Sequence, residues 1–257
     1  LGLERLFLHS RAEAARIRVL AVADGPRLRR PEAAALMHIE RSNFATLLAV
    51  AVPPMDAGLR AKAMANLVFH MVEAWDRHVY PDVRALVAPV DCSLLFSHLK
   101  VLPVDPGEPP GTLCFSSPAL AAIAALQPDV ILHCTSGPVP DVLQPLARFG
   151  VWSIHLTTPE QPRPSAPCFR EIRDGELLTS VALLMHGGPL GGIHVLPQAR
   201  VATEHSLFRG KNCVRPELTA LTFVIRKLRD LHQLGWERFA TSLQPVSASH
   251  AKPASPP

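Results

Sequence analysis

The five cysteines, Cys92, Cys114, Cys134, Cys168 and Cys213, show no CxxC or CxH spacing. Their odd number and scatter argue against both a disulfide framework and a structural zinc site, so reduced thiols are expected. No HExxH pair occurs among the 12 histidines. His186, His194 and His205 are too loosely spaced to argue for a metal without a carboxylate or thiolate partner, and no metal is expected. GxGxxG and GxxxxGK[ST] are both missing, which removes the main support for dinucleotide and P-loop nucleotide binding. GxSxG is missing too, so a nucleophile-elbow hydrolase has no candidate serine. The apolar stretches at 44–52 and 120–131 fall short of the roughly 20 residues that cross a bilayer, and no membrane association is expected. Charge of one sign is nowhere concentrated: 26 basic and 22 acidic residues are spread along the chain for a net charge of +4, without the clustering of a nucleic-acid footprint. The start carries no cationic run followed by an apolar block and a cleavage site, and a cytoplasmic location is expected.

What is present is a globular composition. Hydrophobic residues make up 48% and charged residues 19% of the 257, and mean hydropathy is +0.17, which excludes disorder for the body of the chain. The length suits one domain, expected over 1–240, with a Ser/Pro/Ala-rich disordered tail over 241–257. The 26 prolines, about twice the usual share, gather in connections such as 101–111 and 159–167. Residues 17–24 (IRVLAVAD) form a continuous apolar run, the pattern of a strand buried on both faces. A helix from Pro31 to about Ile39 and a second strand at 44–52 complete a βαβ unit. A long helix is expected over 57–78, and an irregular region with one short strand over 82–111. Ser117 is expected to cap a helix to Leu126. A strand at 129–134, a helix at 139–148 and a strand at 151–155 follow. A short helix at 169–174 precedes paired strands at 178–186 and 193–201 around a glycine-rich turn. A last helix is expected over 216–239. Strands alternating with helices predict an α/β fold with an open, mostly parallel sheet, whose ligands bind past the carboxyl ends of strands.

The order and spacing of PDVILHCTSG (128–137), GVWSIH (150–155), TTPEQPRPSAP (157–167) and DGELLTSVALLM (174–185) resemble the catalytic domain of the formyltransferase family, which includes the methionyl-tRNA and glycinamide-ribonucleotide formyltransferases. The match is nearest to a subgroup of formyltransferase-like domains, some fused to glycosyltransferases. Trp75-Asp76-Arg77 and Ala88-Pro89-Val90-Asp91 also look like that subgroup. The resemblance covers about 17–240 and implies a formyltransferase-like, Rossmann-like α/β fold.

It also implies a chemistry, in which an amine attacks the formyl carbon of 10-formyltetrahydrofolate while an oxyanion is stabilised and protons move between nitrogens. The family uses Asn, His and Asp. His155 occupies the histidine position, and Ser153 stands where Asn is usual, with a single hydroxyl donor. The carboxylate's position falls on Gly191, or on Leu190 under a one-residue shift, and neither ionises. Gly191→Asp is therefore expected to raise the rate. Ser136, Gly137, Thr157, Thr158, Pro159 and Gly191 are the implied folate contacts, and Arg163 the implied substrate contact. Each has a plainer reading: His155 as a packed core histidine, Ser153 as a structural hydroxyl, Arg163 as a solvated loop residue, Cys134 as inert packing. Two functions stay open. One is formyl transfer to an amine of a small metabolite or amino sugar, within one-carbon metabolism, with tRNA not a substrate. The other is a non-catalytic homologue that binds or assists.

Overall fold

The computed structural model describes residues 6–53, 86–107, 112–135, 137–156, 168–204 and 209–246. The chain runs β1 (Ile17–Ala23), α1 (Arg30–Arg41), β2 (Ala45–Val52), α2 (Ser93–Ser97), β3 (Lys100–Pro103), α3 (Ser117–Ala125), β4 (Val130–Cys134), β5 (Val151–His155), α4 (Phe169–Arg173), β6 (Leu178–His186), β7 (Ile193–Ala202), α5 (Arg209–Ala220), α6 (Phe223–Ala240) and β8 (Gln244–Pro245). These strands form one sheet in the order β8-β7-β6-β5-β4-β1-β2-β3. β3, β2, β1, β4 and β5 are mutually parallel, whereas β6, β7 and β8 are joined antiparallel. β5 is thus the seam, parallel to β4 on one side and antiparallel to β6 on the other. The α/β sheet predicted from the apolar runs is the observed fold.

The central strands are mostly apolar because both sheet faces are covered, with His133, Ser153 and His155 the polar residues toward the carboxyl ends of β4 and β5. One face carries Val19, Ala21, Leu132, Trp152 and Leu183, packed with Leu36 and Ile39 of α1 and Val224 and Leu228 of α6. The other carries Leu20, Val22, Ile131 and Val151, under Ala119 and Ile123 of α3 and Leu143. Trp152 is fully buried. Its indole N–H donates to the Phe149 carbonyl at 3.0 Å, and its ring stacks on Phe239 at 6.2 Å, which pins the seam strand to α6 from behind.

Several expectations shift. The cap of α3 is Ser116, whose hydroxyl accepts from the Ala119 amide at 3.4 Å, one residue before the predicted Ser117. Residues 141–146 form a 3-10 turn rather than a full helix, since Pro140 and Pro145 withdraw amide donors from so short a segment. The single helix expected over 216–239 is two helices, separated at Leu221 and Thr222 and with Pro216 inside the first. The region 82–111 holds more order than expected, in α2, β3 and two short strand pairs. The domain reaches past 240, where Gln244–Pro245 pairs with β7. The helix predicted over 57–78 and the tail from 247 lie outside the described residues. Among the described residues, no helix is long and apolar enough to cross a membrane.

Candidate active site

Alternation along β5 sends Trp152 and Ile154 to one face and leaves Ser153 and His155 together on the other. His155 is the last residue of the strand, at the carboxyl end of the parallel set, and is half-buried. This is the predicted place for it. The Ser153 hydroxyl lies 2.8 Å from His155 Nε2 and 2.9 Å from His186 Nε2, so one oxygen joins two imidazoles whose centroids are 6.1 Å apart. Ser153 and His186 are both buried. His186 is the last residue of β6 and is in register with Val151, two residues before Ser153, so its side chain leans along the strand to reach the hydroxyl.

A third histidine lies beside them. His133 on β4 is in register with Ser153 and is buried, with Nε2 3.1 Å from the Thr135 hydroxyl. That hydroxyl accepts from the Gly137 amide at 3.3 Å, so the loop after β4 is tied to the same cluster. Burial is the first cause that disfavours charge on all three imidazoles. It pushes His155 and His133 down to about 3, helped by His186 and by Arg29. His186 falls only to about 4, because Asp141 on the 3-10 turn opposes the effect of burial. All three are neutral at pH 7 and present both a donor and an acceptor nitrogen.

Arg29 closes the cluster from the carboxyl side of β1. It caps the start of α1 and pairs with the buried Glu32 through Nη2 and through Nε, the latter at 2.9 Å. Its Nη2 also donates to the Ile154 carbonyl at 3.1 Å. Burial works against its charge, but the Glu32 carboxylate prevails and holds Arg29 above its ordinary value. The last peptide of β5 is therefore clamped to α1.

Of the residues singled out from sequence, His155 and Ser153 come together, and Gly137 is tied to the neighbouring His133 through Thr135. Gly191 does not join them. The β5/β6 register puts the turn at 187–192 beyond Val151, and the four residues from there to His155 span on the order of 13 Å. Ser136, Thr157, Thr158, Pro159 and Arg163 lie outside the described residues. Cys134 is buried, its thiol donates to the Leu132 carbonyl at 3.8 Å, and burial pushes it well above its ordinary value, as packing requires. Sequence reasoning missed His133 and Arg29 and set His186 aside. The histidines at 133 and 186 stand in strands read correctly, but only strand register shows that they meet Ser153. Among the described residues, no three His, Cys, Asp or Glu side chains converge as a metal site. A cleft of about 590 Å³ bordered by Arg18, Asp129 and Arg148 opens at the amino ends of β1 and β4, the opposite edge. Its carboxylate is engaged, since Asp129 accepts from the Arg18 amide at 2.8 Å.

No protein-family model matches the chain, and none of the curated proteins matches it in sequence. Solved structures do. Phosphoribosylglycinamide formyltransferase from Bacillus halodurans superposes with a TM-score of 0.52 at 14% identity, over 83% of this chain and 94% of that one. A sugar N-formyltransferase from Shewanella sp. gives 0.51 at 15% identity, over 90% and 73%. A formyltetrahydrofolate deformylase from Pseudomonas syringae pv. tomato gives 0.52 at 19% identity, over 85% and 62%. With the sheet order, the covered faces and the histidine at the carboxyl end of the seam strand in place, these superpositions show that the chain has the formyltransferase-like α/β fold.

Proposed function

We propose that this protein transfers a formyl group from 10-formyltetrahydrofolate to an amine of a small metabolite or amino sugar. The observation that carries this reading is His155: a neutral imidazole at the ligand-binding edge of the sheet, oriented through Nε2 by Ser153. The residues fit such a co-substrate in the chemistry they offer. Among the described residues, the hydrogen bond to His155 is made at Nε2, which leaves Nδ1 for a reacting nitrogen or a formyl oxygen. Bound past the ends of β4 and β5, the folate supplies an activated formyl carbon. His155 holds or moves a proton there, Ser153 fixes its ring, and the Arg29 clamp on the Ile154 carbonyl keeps the strand end in place. Gly137 borders the same edge through Thr135, and Ser136, Thr157, Thr158, Pro159 and Arg163 are proposed to complete the contacts. A small acceptor, rather than tRNA, suits the scattered charge.

Among the described residues no carboxylate is hydrogen-bonded to His155, and this favours a second reading, a non-catalytic homologue that binds without turnover. Calorimetry with a reduced folate, combined with a formylation assay on a panel of amino sugars and amine-bearing nucleotides, tests both. Saturable folate binding with turnover supports formyl transfer. Binding without turnover supports the second reading, and no folate binding overturns the first.

A further inference from the structure

We propose that His186 is the positioning residue for His155 and the acceptor of its proton through the Ser153 hydroxyl, a role that no carboxylate bonded to His155 fills among the described residues. The inference rests on the reading of His155 given above and extends it to a residue on another strand. It follows first from counting protons. The Ser153 oxygen carries one hydrogen and lies within hydrogen-bond distance of two Nε2 atoms, at 2.8 and 2.9 Å. The hydroxyl donates to one ring, so that ring's Nε2 is bare. The other ring donates to the hydroxyl, so its Nε2 bears hydrogen. Two neutral imidazoles sharing this oxygen must therefore be opposite tautomers.

Of the two opposite arrangements, proton uptake at His155 Nδ1 requires the one in which that nitrogen is bare: His155 carries its proton on Nε2 and donates it to Ser153, while the Ser153 hydroxyl donates to a bare His186 Nε2 and His186 carries its proton on Nδ1. When His155 Nδ1 takes a proton from the reacting amine, the Nε2–H bond of His155 breaks and an O–H bond forms on Ser153. The former hydroxyl hydrogen passes to His186 Nε2. His155 is then neutral as the Nδ1–H tautomer, Ser153 is again a hydroxyl, and the single positive charge rests on His186. The reverse path delivers the proton to the departing nitrogen, so nothing is consumed.

The surroundings favour this direction. His186 faces Ser153 and His155 from β5 and His133 from β4. Asp141, the charged group that favours its protonation, approaches from the 3-10 turn. Arg29 acts against charge on His155 and His133. A proton arriving at the rim is thus better held on His186 than on His155. Asp141 is exposed, so the far end of the path borders water.

Long-range ¹H–¹⁵N correlation on histidine-labelled protein at pH 7 reads the tautomers without any substrate. The expected result is opposite tautomers for His155 and His186, with the fixed form of His155 lost in Ser153→Ala and in His186→Leu. His186→Gln retains a donor and an acceptor for the Ser153 hydroxyl and serves as the folded control. In the formylation assay, both His186 variants should lose at least about 10-fold in kcat with KM within about threefold, and the acid limb of the kcat profile should shift. His186→Gln should restore the melting temperature but not kcat. Identical tautomers for the two rings overturn the proposal, as does a kcat that His186→Leu leaves within twofold. Opposite tautomers with no formylation in the wild type instead overturn the formyl-transfer reading.

Discussion

Gly150→Ala tests the packing that places His186. Gly150 leads into β5 with φ +77°, a conformation that costs an L-residue about 1–2 kcal/mol. A Cβ there would lie 2.7 Å from the His186 carbonyl oxygen, 3.1 Å from Met185 Cγ and 3.3 Å from the Gly187 carbonyl carbon. Two of those three atoms are backbone of the β6 end and its turn, so the strand itself must move, and overpacking of this kind costs about 1–3 kcal/mol. The sum is about 2–5 kcal/mol. Gly175→Ala separates the two contributions: φ is +67° there, but no atom lies within 4 Å of the added carbon, so only the conformational part remains, about 1–2 kcal/mol. Urea unfolding of both variants, with m-values unchanged, measures the difference. In a domain of this size each kcal/mol lowers Tm by about 2–4 °C. A Gly150→Ala variant no less stable than Gly175→Ala would refute the close approach of the β5 entry to the β6 end, and with it the account of how His186 reaches Ser153.

His155→Ala is expected to abolish formyl transfer while changing stability by about 1 kcal/mol or less, measured by initial rates and thermal melting. Gly191→Asp, first expected to raise the rate, is now expected to leave it within twofold, because the register sets Gly191 beyond the far end of β5. The open space around Gly191 leaves only its φ of +63° to cost stability, about 1–2 kcal/mol. Acid should destabilise the fold early. His133 and His186 are held neutral down to about 3 and 4 in the folded protein, while the unfolded chain binds protons from about pH 6.5 downward. Stability is therefore fully present above that pH and falls as pH drops, with a slope of up to about 1.4 kcal/mol per unit for each histidine. Denaturant midpoints from pH 7 to 4 measure it, and a flat profile would show that these imidazoles are solvated.

The fold was legible because buried parallel strands are written as predominantly apolar runs, and 17–24, 44–52, 129–134 and 151–155 are each such a run, broken by at most a few polar residues and bounded by Gly, Pro or polar residues. Their ends were read to within a residue. Helical detail was harder: Ser116 and Ser117 are equally good caps by type, and only the hydroxyl's bond to the Ala119 amide separates them. His155 was legible from its place at a strand end after GVWSI. His186 was not, because β6 reads the same whether it runs with or against β5, and only the antiparallel register slides its last residue toward Ser153. Arg29 was hidden for a related reason, since its partners Glu32 and Ile154 lie on either side of a connection whose path composition does not encode.

The outer strands of the sheet carry a consequence for solubility. β3 and β8 are four and two residues long, and each ends in proline, Pro103 and Pro245, which lack an amide donor. Lys100 adds a charge at the start of β3. A sheet with eight strands would otherwise offer two long ladders of unpaired amides and carbonyls to a neighbouring chain. The two outermost strands themselves are brief, end in proline and, in β3, carry a charge, which blunts edge-to-edge pairing at those positions.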